Sequence, residues 1–100
     1  MTRIKTALFA ASLLSAAFAT TAMAGQAYSD TYRSAALDRD VKFTVYLPDA
    51  YKDATTKLPA IYLLHGAGGD ENEWMRKGGA VETLDGLIKR GLIRPSVVIM

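Results

Sequence analysis

The 100-residue chain contains no cysteine, one histidine, one tryptophan and three prolines. Without cysteine there can be no disulfide staple, no thiolate zinc site and no thiol nucleophile, so stability must come from a hydrophobic core. A large excess of one charge is also missing: 12 lysines and arginines face 10 aspartates and glutamates. Arg3 and Lys5 account for that difference, and from residue 25 onward the two signs balance. A chain neutral from residue 25 onward offers no footprint for a phosphate backbone or an anionic lipid surface, which argues against nucleic-acid binding and polybasic membrane attachment. Nor is there an uninterrupted apolar run of the roughly 18 to 20 residues that a membrane span requires.

The first quarter reads as an address. Arg3 and Lys5 precede an uncharged stretch carrying Leu8, Phe9, Leu13, Leu14 and Phe18, and Ala22-Met23-Ala24 supplies the small-x-small pattern of a cleavage site. Residues 1–24 are therefore expected to be a signal peptide cut after Ala24, with the mature protein secreted or periplasmic and making no stable membrane association.

Residues 25–100 show no repeat, linker or low-complexity segment and read as one domain beginning. Val41, Phe43, Val45 and Leu47 alternate with Lys42, Thr44 and Tyr46, the period of a strand. The weaker pattern from Tyr28 to Leu37 is expected to pair with it as a hairpin turning at Asp38-Arg39-Asp40. Ala60 to Leu64 is a short apolar run ending at His65-Gly66-Ala67-Gly68-Gly69, as in a strand buried on both faces. Asp70 to Gly78 reads as a polar loop. Val81, Leu84, Leu87 and Ile88 then recur at helical spacing over about Ala80 to Arg90, with Gly91 as the stop. Val97 to Met100 begins a further apolar strand. The order strand, loop, helix, strand implies a right-handed βαβ unit with parallel strands.

Ligands of an open parallel sheet sit beyond the carboxyl ends of its strands, and a glycine-rich turn there lets backbone N–H groups approach a reacting atom. His65 to Gly69 occupies that place. The stretch fits neither the dinucleotide G-x-G-x-x-G nor the phosphate loop with its lysine. Asp70, Glu71 and Glu73 lack the spacing of a calcium loop, and neither metal nor cofactor is expected.

Val45-Tyr46-Leu47-Pro48, then Leu58-Pro59-Ala60-Ile61-Tyr62-Leu63-Leu64-His65-Gly66-Ala67-Gly68-Gly69 with Trp74 following, and finally Gly91-Leu92-Ile93-Arg94-Pro95-Ser96-Val97-Val98-Ile99-Met100, resemble the esterase D-type, feruloyl-esterase-like family of α/β-hydrolases. The resemblance implies an α/β class: the N-terminal part of an α/β-hydrolase fold, a β-hairpin followed by a βαβ unit, incomplete over these residues. It implies a serine carboxylesterase with a Ser-His-Asp/Glu triad acting on a small-molecule or carbohydrate ester, of the feruloyl or acetyl type. In this family the loop after the third strand gives the oxyanion hole one backbone N–H, and matching places that donor at Ala67. Gly66 and His65 fall in the same loop, with His65 a loop support and not the triad base. Trp74 falls where related esterases line the acyl pocket, although a tryptophan in a polar loop equally serves to pin it. Ser29, Ser34 and Ser96 lack the flanking glycines of a nucleophile elbow, so the triad is expected outside this chain, which alone is expected to be inactive. Two other readings stay open: an acyltransferase of the same family, and a non-catalytic product binding a partner through an open edge at its last strand.

Overall fold

The computed structural model describes residues 24–100; the export signal read over residues 1–24 lies outside them except for Ala24. The described residues form four strands and two helices: β1 (Gln26–Ser34), β2 (Arg39–Leu47), β3 (Ala60–Tyr62), α1 (Glu73–Arg76), α2 (Ala80–Lys89) and β4 (Val97–Ile99).

β1 and β2 form the hairpin, antiparallel over nine pairs from Gln26↔Leu47 to Ser34↔Arg39. Its turn lies earlier than the charged triplet suggests. Ala35 to Asp38 make the turn and Arg39 is already paired, because Asp38 takes the left-handed conformation (φ 48°) that aspartate tolerates. The Ser34 hydroxyl accepts the Leu37 N–H inside the turn. Weak as its pattern is, β1 is a full strand, held by its partner's register.

The sheet order is β1-β2-β4-β3. β3 and β4 run parallel, as the crossover through α2 requires, while β4 also pairs antiparallel with β2 at Val45↔Ile99 and Tyr46↔Val98. The last strand is thus flanked on both sides, and the expected open edge at Val97 to Met100 is overturned. The free edges of this sheet are β1 and β3. Where a strand buried on both faces is expected, the three residues of β3 are exposed among the described residues, Tyr62 to 68%, as is Leu64 just beyond the strand at 85%. Among these residues β3 lies at the sheet edge and no layer covers it.

α2 follows Gly79 in a left-handed N-cap conformation (φ 53°) and ends where expected. At its C-terminus Gly91 (φ 69°) donates to Ile88 O and Leu92 N donates to Leu87 O, a Schellman closure that satisfies two carbonyls the helix leaves free. The helix packs over one face of β2. On that face Tyr46 and Val98 are fully buried, Thr44 is 2% exposed, and Ala80 joins them. The opposite face, with Val41, Phe43, Val45 and Leu47, is half-buried, although Tyr32 and Phe43 meet there edge to face at 5.9 Å.

Candidate active site

The stretch that reads as a loop from Asp70 to Gly78 contains a helical turn, and that turn organises the site. Beyond Tyr62 the chain stays on the sheet for one more bond, Leu63 N to Ile99 O at 2.8 Å, and then leaves it. Gly66 O accepts the Gly69 N–H at 3.0 Å, closing a four-residue turn whose third residue, Gly68, has φ 77°. A side chain is disfavoured there, so a glycine is required at that position. Such a turn leaves the N–H of its second residue pointing outward, and among the described residues the Ala67 N–H has no acceptor. The Gly66 N–H is committed, donating to Glu73 Oε2 at 3.1 Å.

The turn is braced from three sides. His65 folds back so that Nδ1 lies 2.9 Å from Gly66 O, an arrangement in which the ring donates to the turn. Glu73, at the start of α1, grips the Gly66 N–H and is gripped in turn by Lys77 Nζ at 3.1 Å. Hydrogen bonding to Lys77 first, then to the Gly66 amide, holds the Glu73 carboxyl below its ordinary range. A Cβ at Gly69 would run into the Glu73 carboxylate, so the bare glycine lets that side chain keep its place on Gly66. Trp74 spans ten residues to donate its indole N–H to Leu64 O at 3.1 Å, which fixes α1 to the strand end. Gly78 makes that packing possible, since a Cβ would come within 2.7 Å of Trp74 O.

The outer part of the loop is tied separately. Asp70 caps its own turn, accepting the Asn72 N–H at 2.9 Å, and takes a two-pronged contact from Arg76 at 3.0 and 3.2 Å. The Arg76 hydrogen bonds keep the Asp70 carboxyl below its usual range. Asn72 Oδ1 accepts the hydroxyl of the buried Thr44 at 2.9 Å, linking the loop to the covered face of β2. Sequence reasoning placed His65, Gly66, Ala67 and Trp74 in one region, and the structure brings all four together. It gave Asp70 and Glu73 no role beyond a solvated loop and passed over Asn72. The four-residue spacing of Glu73 and Lys77 is the helical signal that could have found α1.

Among the described residues no three histidines or acidic groups converge as a metal site, and no helix is long and apolar enough to cross a membrane.

The Esterase family model matches residues 34–100, which is β2 through β4 with the whole glycine turn. The chain belongs to the Esterase family. A curated relative, the endo-1,4-beta-xylanase/feruloyl esterase of Xylanibacter ruminicola, is 40% identical over 60 residues, covering 56% of this esterase chain and 8% of the relative. Among solved structures, a ferulic acid esterase superposes with TM-score 0.71 at 26% identity, covering 77% of this chain and 30% of that one. The feruloyl esterase module of Clostridium thermocellum, complexed with sinapinate, gives 0.67 at 31% identity, over 76% of this chain and 26% of its own. The ferulic acid esterase of Anaeromyces mucronatus in complex with ferulic acid gives 0.68 at 25%, over 80% and 29%. This esterase chain therefore has the fold of part of an α/β-hydrolase, and it spans less than a third of the length of these relatives.

Proposed function

We propose that residues 25–100 supply the N-terminal part of an exported serine carboxylesterase that cleaves feruloyl- or acetyl-type esters of an acylated carbohydrate. The observation that carries this reading is the outward, unclaimed Ala67 N–H on a braced glycine turn at the carboxyl end of a parallel strand. The relatives named as feruloyl esterases support the acyl class. In the whole enzyme, a serine oxygen attacks the ester carbonyl and the carbonyl oxygen becomes an oxyanion. The Ala67 N–H donates to it together with the N–H of the residue after the nucleophile. Collapse expels the alcohol, and water then releases the acid from the acyl-enzyme.

Gly66 and His65 serve this step indirectly. Gly66 anchors the turn on Glu73 and His65 closes it from the other side, so the Ala67 N–H is held in place before substrate arrives. Trp74 is assigned a positioning role because its polar handle is spent on Leu64 O, with part of the ring left accessible.

The test is release of ferulate from methyl ferulate by the full-length protein. Steady turnover that stops on treatment with a serine-directed fluorophosphonate is expected, whereas residues 25–100 alone should show none. Failure of the full-length protein to cleave either feruloyl or acetyl esters would sink the assignment.

A further inference from the structure

Apart from the glycine turn and sharing no residue with it, the structure holds a second constellation that the proposed catalysis does not use. Gly25 is buried, and its backbone nitrogen donates to Asp85 Oδ1 of α2 at 2.9 Å. The Tyr46 hydroxyl donates to the same oxygen at 2.6 Å. Tyr46 is fully buried, and burial first, then Asp85, pushes its pKa well up, so it remains a donor. Among the described residues Asp85 Oδ2 accepts no hydrogen bond, and no lysine or arginine forms an ion pair with this carboxylate. A half-buried anion is thus served by two donors that carry no formal charge, which leaves its charge uncompensated.

The residue seated there immediately follows Ala22-Met23-Ala24. The seat also selects its occupant, because a Cβ on residue 25 would fall 2.5 Å from the Tyr46 ring, whose buried position leaves no room to yield. Ala24, one residue away, is exposed. We propose that cleavage of the Ala24–Gly25 bond during export creates an α-ammonium at Gly25 that forms an ion pair with Asp85 beneath Tyr46, locking the new amino terminus onto α2. An export endopeptidase adds one water across the peptide bond. The Ala24 carbonyl carbon takes the hydroxyl, and the Gly25 nitrogen takes protons to become a cation at neutral pH. The nitrogen need not move. It exchanges one N–H for three and gains the positive charge that Asp85 lacks, with Oδ2 open to a second N–H. Processing thereby stabilises the folded esterase without any contact to its active site.

The experiment uses the full-length protein exported from its own leader. Intact mass should place the first residue at Gly25, and acetic anhydride should label that amine about tenfold more slowly than an unpaired one, equivalent to about one pKa unit. Asp85→Asn should restore ordinary labelling. A version whose cleavage site is shifted so that Ala24 is retained alters no buried side chain. It should lose about 5 °C in unfolding midpoint with Asp85 present and almost nothing with Asn at that position. Gly25→Ala should be processed equally well yet melt lower, separating cutting from seating. A mature terminus at another residue, equal labelling rates with Asp85 and Asn, or an equal effect of the retained Ala24 in both backgrounds would overturn the proposal.

Discussion

Two carboxylates in this molecule perform the same operation in different surroundings. Glu73 accepts the Gly66 N–H and a Lys77 ammonium at the protein surface. Asp85 accepts the Gly25 N–H and the Tyr46 hydroxyl against the covered face of the sheet. Only the second of these glycines is crowded: a Cβ at Gly25 would strike the Tyr46 ring, whereas one at Gly66 would meet nothing, and it is the neighbouring Gly69 whose Cβ would reach the Glu73 carboxylate. The difference lies in what can yield. A surface carboxylate swings aside and water replaces it, so its bonds are individually weak and the turn it braces remains adjustable. At the Asp85 cluster the carboxylate is half-buried but the Tyr46 side chain and Gly25 are buried, and a donor stranded there keeps its desolvation cost. The glycine-turn end is therefore ordered by several replaceable contacts, and the Gly25 end by a few that are harder to replace.

If the surface brace exists to present one N–H, removing that N–H should have the largest effect of any change near it. Ala67→Pro in the full-length enzyme should lower kcat about a hundred- to a thousand-fold, roughly 3 to 4 kcal/mol, with Ala67→Ser retaining most activity. A proline variant that folds normally and turns over ester at the parent rate removes Ala67 from the oxyanion hole. The buried cluster should answer in stability instead. Asp85→Leu strands the Tyr46 hydroxyl and the Gly25 N–H and should cost about 2 to 3 kcal/mol in denaturant unfolding, whereas Tyr46→Phe should cost about 1. Equal losses for the two would contradict the asymmetry argued here.

Smaller effects separate the two ends further. Gly69→Ala should push the Glu73 carboxylate off Gly66 and change global stability by less than about 1 kcal/mol. Hydrogen exchange at the Gly66 amide should accelerate without matching change in the strands. The least effect is expected from pH. The folded-state pKa of Glu73 lies below its ordinary value, so its contribution is complete above the ordinary carboxyl range and fades as pH falls through the lowered folded value. Gly66 amide protection, followed downward from neutrality, should decline in that acid window and not above it, and Glu73→Gln should flatten the profile.

These contrasts were unequally legible in the sequence. Periodicity identified β2 and α2, and Gly91 marked the helix end, because each depends on local chemistry that a window of ten residues contains. The glycine turn was legible as a site through its place after an apolar strand. Burial was not. The alternation in β2 is real, yet its apolar side is the half-buried one, while Thr44 and Tyr46 lie beneath the helix with their hydroxyls bonded to Asn72 and Asp85. Those partners are 28 and 39 residues away, and no local pattern announces them. Nor does the composition of β3 give its neighbour, since its pairing with β4 joins residues 37 apart.

The placement of β4 between β2 and β3 sets an order of events for a protein made from its amino terminus. The hairpin can close as soon as Leu47 is available, but β3 has no partner until Val97 to Ile99 arrive, because among the described residues it touches no other strand. For roughly 35 residues of synthesis Ile61, Tyr62 and Leu64 belong to nothing. Such delay is a hazard in the cytoplasm, where unpaired apolar strands aggregate. Under the proposed export it becomes useful, since a chain that cannot complete its sheet stays slack enough to be pulled through a pore.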